Sequence, residues 1–94
     1  MLKWIENWYI SHCNGEWEDY YGIKISTLDN PGWLVKIDIS ETELENRQFQ
    51  EINVYKDDND WLCCKLINNE FLGGGDPTKL NRIIEEFRRW AENN

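Results

Sequence analysis

Apolar and polar positions follow two rhythms along this chain, and the changes of rhythm mark its elements. From Leu2 to about His12, Trp4, Ile5, Trp8 and Tyr9 recur at the three- and four-residue spacing of one helix face. Asn14-Gly15 supplies a stop. From Gly22 to Leu28 the period becomes two, with Ile23, Ile25 and Thr27 set against Lys24 and Ser26. "DNPG", Asp29 to Gly32, reads as a turn: Pro31 fixes its own φ and Gly32 tolerates a left-handed one. Alternation resumes in Trp33, Val35, Ile37 and Ile39, against Lys36 and Asp38. Two alternating runs around a short turn predict a β-hairpin.

Ser40 to Gln50 is polar and fits either a helical turn, with Ser40 and Glu43 as a capping box, or a loop. A third strand is predicted over Glu51 to Lys56, a turn at "DDND", and a fourth strand over Trp61 to Ile67. Asp76 has the chemistry of an N-cap and Pro77 suits a first helical position. Leu80, Ile83, Ile84, Phe87 and Trp90 form one apolar stripe, which predicts a helix from Pro77 to Ala91.

The expected fold is α+β: a single four-stranded antiparallel sheet with an N-terminal and a C-terminal helix packed on it. The expected core face carries Ile23, Ile25, Val35, Ile37, Ile39, Ile52, Val54, Leu62, Cys64 and Leu66. The opposite face, with Lys24, Ser26, Lys36, Asp38, Asn53, Tyr55, Cys63 and Lys65, is half polar and can meet water or a partner. Ninety-four residues make one domain, residues 1–94. So small a domain needs large side chains to bury enough surface, and six Trp, four Tyr and three Phe supply them.

Charge narrows the function. A net charge of -8 opposes binding to nucleic acid phosphates and to anionic membranes, and favours basic partners. The first residues, "MLKWIENWYI", lack the layout of a signal peptide, and no run of the chain has the length of a membrane span. Three cysteines, Cys13, Cys63 and Cys64, cannot all pair within one chain; reduced thiols and a cytoplasmic location are expected.

Candidate chemistry is thin. "LGGGDPTKL" lacks the Gly-Lys-Ser/Thr of a phosphate loop, and its glycines read as a flexible approach to a capped helix. His12, Cys13, Cys63 and Cys64 have the wrong spacing for zinc, since Cys63 and Cys64 would face opposite sides of one strand. His12 is the only histidine available to a cysteine nucleophile, and on a helix it would not face the adjacent Cys13. No catalytic residue, cofactor or metal is therefore expected.

Two acidic clusters remain. "NGEWEDYYG" sets Glu16, Glu18 and Asp19 among Trp17, Tyr20 and Tyr21. It reads as a solvated loop anchored by Trp17, as an interface with aromatic anchors and a charged rim, or as the carboxylates of a small hydrolase acting through Glu16, Glu18 or Asp19. Between Asp38 and Asp60 lie eight acids and two bases, a sum of -6 within the net -8. The expected partner-binding residues are Glu16, Glu18, Asp19, Asp38, Tyr55, Asp57, Asp58 and Asp60.

"WIENWYISHCNGEWEDYYGIKISTLDNPGWLVKIDI", "FLGGGDPTKL" and the final aromatic-rich helix together resemble the immunity protein 53 family of bacterial polymorphic toxin systems. The most specific marks are Trp17-Glu18, "TLDNPGW" from Thr27 to Trp33, and Gly75-Asp76-Pro77. The resemblance implies a small cytoplasmic protein, made beside a toxin gene, that binds and neutralises the cognate toxin and has no enzymatic activity. Many such toxins act on nucleic acid through basic clefts, so it extends to a nuclease partner whose basic surface an acidic inhibitor would complement.

Overall fold

In the computed structural model, which describes residues 2–93, the chain runs α1 (Leu2–His12), α2 (Trp17–Tyr20), β1 (Ile23–Leu28), β2 (Gly32–Asp38), β3 (Ile52–Asp57), β4 (Asp60–Ile67), β5 (Glu70–Gly75) and α3 (Leu80–Glu92). The strands form one antiparallel sheet in the order β1-β2-β5-β4-β3. The two predicted hairpins, β1–β2 and β3–β4, both form, and α1 spans the predicted range.

The four-strand expectation is wrong by one strand, and the missing strand lies at the centre. β5 is "EFLGGG", the stretch read as a flexible approach. Three consecutive glycines have little β propensity, so the strand leaves almost no alternating signal. What places it is the hairpin before it: Asn68 (φ 52) and Asn69 (φ 63) are both left-handed, the conformation of the tight two-residue turn that suits sheet twist. Gly73 lies directly under α3 and Gly75 under the turn that leads into it, while Gly74 faces the Trp61 ring on the opposite side of the sheet. A Cβ on Gly73 would collide with Ile83 Cγ2, and one on Gly75 would stand 2.6 Å from the Lys79 Cβ.

Between them, α1 and α3 cover the middle of one face. Val35, Ile37, Leu62, Cys64 and Phe71 of the sheet pack there with Ile83, Ile84 and Phe87 of α3 and with Ile5 and Trp8 of α1. Edge-to-face rings knit the layers: Trp8–Phe87 and Phe71–Phe87 centroids are each 5.1 Å apart. Ile25 and Val54 carry the expected parity but belong to the edge strands, beyond the helices, and are 44% and 47% exposed. Ile23, Ile52 and Leu66 are half-buried on the core's margin.

The helix after β5 starts three residues later than predicted, at Leu80. Asp76 instead ties the turn before it. Its carboxylate accepts the Thr78 N–H (2.8 Å) and hydroxyl (2.6 Å), the Trp61 N–H (2.9 Å) and Lys79 Nζ (2.7 Å). Residues 39–51 are a loop, not a helical turn; positive φ at Glu41 and Asn46 interrupts any helix. The loop is nonetheless fixed. Ile39 and Leu44 are buried, and Arg47 Nη1 donates to the Trp90 and Asn93 carbonyls at 3.2 Å each, at the C-terminal end of α3.

Candidate functional site

The sequence "NGEWEDYYG" resolves into a tight capped turn. Asn14 Oδ1 accepts the N–H groups of Glu16 and Trp17, both at 2.9 Å, and the Glu18 carboxylate reaches back to the N–H groups of Asn14 (2.9 Å) and Gly15 (2.8 Å). The exchange has the form of a capping box, closed at Gly15, whose φ of 95° favours glycine. Backbone N–H groups, its own first among them, hold the Glu18 carboxyl below the usual carboxylate range. Glu18 is therefore occupied with the local fold. Trp17 is 3% exposed, and its Nε1 donates to the Ser40 carbonyl at 2.9 Å.

Glu16 and Asp19 are exposed. Glu16 borders a polar hollow of about 340 Å³ with His12, Tyr20, Tyr21 and Glu41. Glu18 borders a different hollow, of about 360 Å³, with Ile5, Tyr9, Ile23 and Ile25. The two glutamates proposed as alternatives for hydrolysis thus face separate hollows. Around the first, His12 Nδ1 lies 2.8 Å from the Trp8 carbonyl and Nε2 lies 2.7 Å from the Glu43 carboxylate, so both ring nitrogens face acceptors. Burial pushes the Glu43 carboxyl up, but the bonds from His12, its own backbone and Trp8 outweigh it, and the net displacement is downward. No spacing in the sequence signalled this cluster, because Glu43 lies in the polar 40–50 segment, far from α1 along the chain.

The second group sits at the other end of the sheet. Tyr55 is 65% exposed, and its hydroxyl donates to Asp58. That bond is the leading cause of the rise in the Tyr55 pKa. Asp57 Oδ1 accepts the Asn59 N–H at 2.7 Å. Asp60 is bound to Lys79 at 2.8 Å, so its charge is partly spent within the chain. Tyr55 and Asp58, with Asn30 and Trp61, line a hollow of about 400 Å³ on the sheet face away from the helices.

Asp38 belongs to the first group. It ends β2 beside the start of β1 and shares a small hollow with Tyr20, Tyr21, Lys24, Lys36 and Glu70. β2 has seven residues, so at about 3.3 Å per residue the two acidic ends stand roughly 20 Å apart. The structure brings Glu16, Asp19 and Asp38 to one end and Tyr55, Asp57 and Asp58 to the other. It turns Glu18 and Asp60 toward the chain itself.

The cysteines do not meet as ligands. Cys64 is buried in the core, and burial first of all pushes its thiol up to about 12. Its neighbour Cys63 faces the other side of β4, and Cys13 Sγ contacts the Tyr9 carbonyl at 3.3 Å. Among the described residues no three His, Cys, Asp or Glu side chains gather closely enough to hold a metal ion, and no helix is long and apolar enough to cross a membrane.

The fold and these surfaces define a small α+β domain in which Glu16, Asp19 and Asp38 stand at one end of the sheet and Tyr55, Asp57 and Asp58 at the other. The chain belongs to the immunity protein 53 family, whose model matches residues 2–92. No curated protein and no solved structure matches the chain. The family assignment points to toxin neutralisation.

Proposed function

We propose that this protein is a cytoplasmic immunity protein that binds a cognate bacterial toxin and neutralises it by occupying a basic surface, such as the cleft of a nuclease. The observation that carries this reading is how the acids are distributed. Glu16, Asp19, Asp38, Asp57 and Asp58 form no ion pair among the described residues, whereas Arg82, Arg88 and Arg89 are each spent on glutamates within α3. Carboxylates without an ion pair, though Asp38, Asp57 and Asp58 each accept a hydrogen bond from a neighbouring residue of the chain, lie beside the exposed aromatics Tyr20 and Tyr55 and have the character of an anchor with a charged rim. Complementary charge mainly accelerates encounter and falls off with salt.

The test is toxin association kinetics at low and high salt. Asp57→Lys with Asp58→Lys, and separately Glu16→Lys with Asp19→Lys, should slow association about tenfold or more at low salt, within the range of electrostatic steering. Asp60 is left intact in these variants because it holds Lys79. An association rate indifferent to salt and to both pairs, in proteins that remain folded, would remove the acidic surface from the mechanism.

A further inference from the structure

β1 is an edge strand, and its free side has an unusual neighbour. Its register with β2 pairs Ile23 with Ile37, and the Asp38 N–H donates to the Gly22 carbonyl at 3.0 Å. Backbone bonding alternates along an antiparallel pair, so Lys24, Ser26 and Leu28 bond to β2. The Ile39 N–H, bonded to Asn69 on the other side of β2, fits the same alternation. Ile23, Ile25 and Thr27 therefore direct their N–H and C=O groups away from the sheet, three unpaired peptide units in a row. The other edge, β3, is broken by an irregularity between Tyr55 and Asp57, a device that discourages further pairing. β1 has no such break.

The side chains of those same residues point to the helix side, where α1 stops short of the edge. There lies the hollow of about 360 Å³ floored by Ile23 and Ile25 and walled by Ile5 and Tyr9, with Glu6 and Glu18 also lining it and Ile25 44% exposed. On the opposite face Lys24 pairs in register with Lys36, and neither forms an ion pair among the described residues. An added strand would thus meet an apolar trough at every second residue and, on the other face, Lys24, Ser26 and Leu28, with Lys36 one strand further in and Asp38 and Glu70 lining the same hollow as the two lysines. β1 starts beside Glu16–Asp19 and ends at the turn whose Asn30 lines the Tyr55–Asp58 hollow, so the edge joins the two acidic ends.

We infer that the toxin docks by adding one of its own extended segments to β1, as a sixth strand of the sheet, with apolar side chains in the Ile5–Tyr9–Ile25 trough and a polar or acidic one beside Lys24. This rests on the toxin-binding reading and specifies its geometry: the acidic ends guide encounter, and the strand fixes the complex. Main-chain bonds supply affinity in this mode and the trough supplies specificity. A second copy of the chain is disfavoured as occupant, because each copy carries -8.

Amide hydrogen exchange on the wild-type protein, free and bound to the toxin, reads the edge directly. The amides of Ile23, Ile25 and Thr27 should exchange freely alone and become protected in the complex. Thr27→Pro deletes one outward N–H without removing a bond to β2, at a position where an edge strand accepts proline. It should weaken toxin binding about tenfold or more through faster dissociation, with the salt dependence of association unchanged. A wild-type complex with no added protection in β1, or a folded Thr27→Pro variant that binds as the wild type does, would overturn strand addition while leaving toxin binding standing. So would protection of β1 in the protein alone together with a dimer in light scattering. Failure of the wild type to bind toxin at all would sink both readings.

Discussion

Replacing Gly73 with alanine tests why a glycine run occupies the middle of the sheet. The new methyl group would collide with Ile83 Cγ2 and lie 3.1 Å from the Phe71 ring. Carbon atoms rest at about 3.5–4.0 Å, so α3 must lift or Ile83 must leave its rotamer. Such overpacking costs about 1–3 kcal/mol. Alanine recovers about 0.5–1 kcal/mol of the backbone entropy that glycine loses in a strand. The net loss is about 0–2.5 kcal/mol, which in a domain of this size lowers the melting temperature by up to roughly 20 °C. Ile83→Ala alone should cost about 2–5 kcal/mol by leaving a void. The double variant should be more stable than the sum of the two, because the added methyl enters the space Ile83 vacates. Thermal or urea unfolding of all four proteins gives the cycle. Additivity within about 0.5 kcal/mol, or a melting temperature raised by Gly73→Ala, would refute direct packing of α3 on β5.

Other consequences follow from single groups. Trp17→Ala should cost about 3–5 kcal/mol in urea unfolding, and an unchanged midpoint would show that Trp17 is not core. The Asp76 carboxyl is held well below its ordinary value by Lys79 and Thr78, and a lowered folded pKa contributes stability above about pH 4 that is lost as pH falls toward the folded value. Asp76→Asn should therefore flatten the acid limb of melting temperature against pH; an unchanged slope below pH ~4 would contradict the assignment. A thiol reagent near pH 8 should modify Cys13 and Cys63 well before Cys64, whose thiol is buried and pushed up to about 12; equal rates at all three would be inconsistent with the core.

Much of the fold was legible in the chain, and what was not has physical causes. α1 and the two hairpins announce themselves through periods of 3.6 and 2, because each buries one face. β5 was hidden because, after Phe71, it contributes room for α3 and its leading turn at Gly73 and Gly75 rather than side chains, which no hydrophobic pattern records. Asn68-Asn69 was the available signal, a pair that tolerates left-handed backbone between two runs. Ile25 and Val54 were misplaced because alternation gives the face of a strand but not its position in the sheet; both strands proved to be edges. The acidic residues were legible as two clusters along the chain, but not that Asp38 leaves the second cluster for the end that holds Glu16 and Asp19. The hydrogen bonds that withdraw Glu18 and Asp60 depend on a turn geometry and on a lysine reached only through the third dimension.

Neutralisation by binding is tested most directly by titrating a fixed amount of the cognate toxin with the purified protein and reading the remaining toxin activity. The proposed mechanism predicts a linear fall to zero at an equimolar ratio, with the toxin recovered intact on dissociation. Full toxin activity in the presence of excess folded protein would contradict it. So would loss of activity at far less than equimolar amounts, since only a catalyst acting on the toxin or its product could do that.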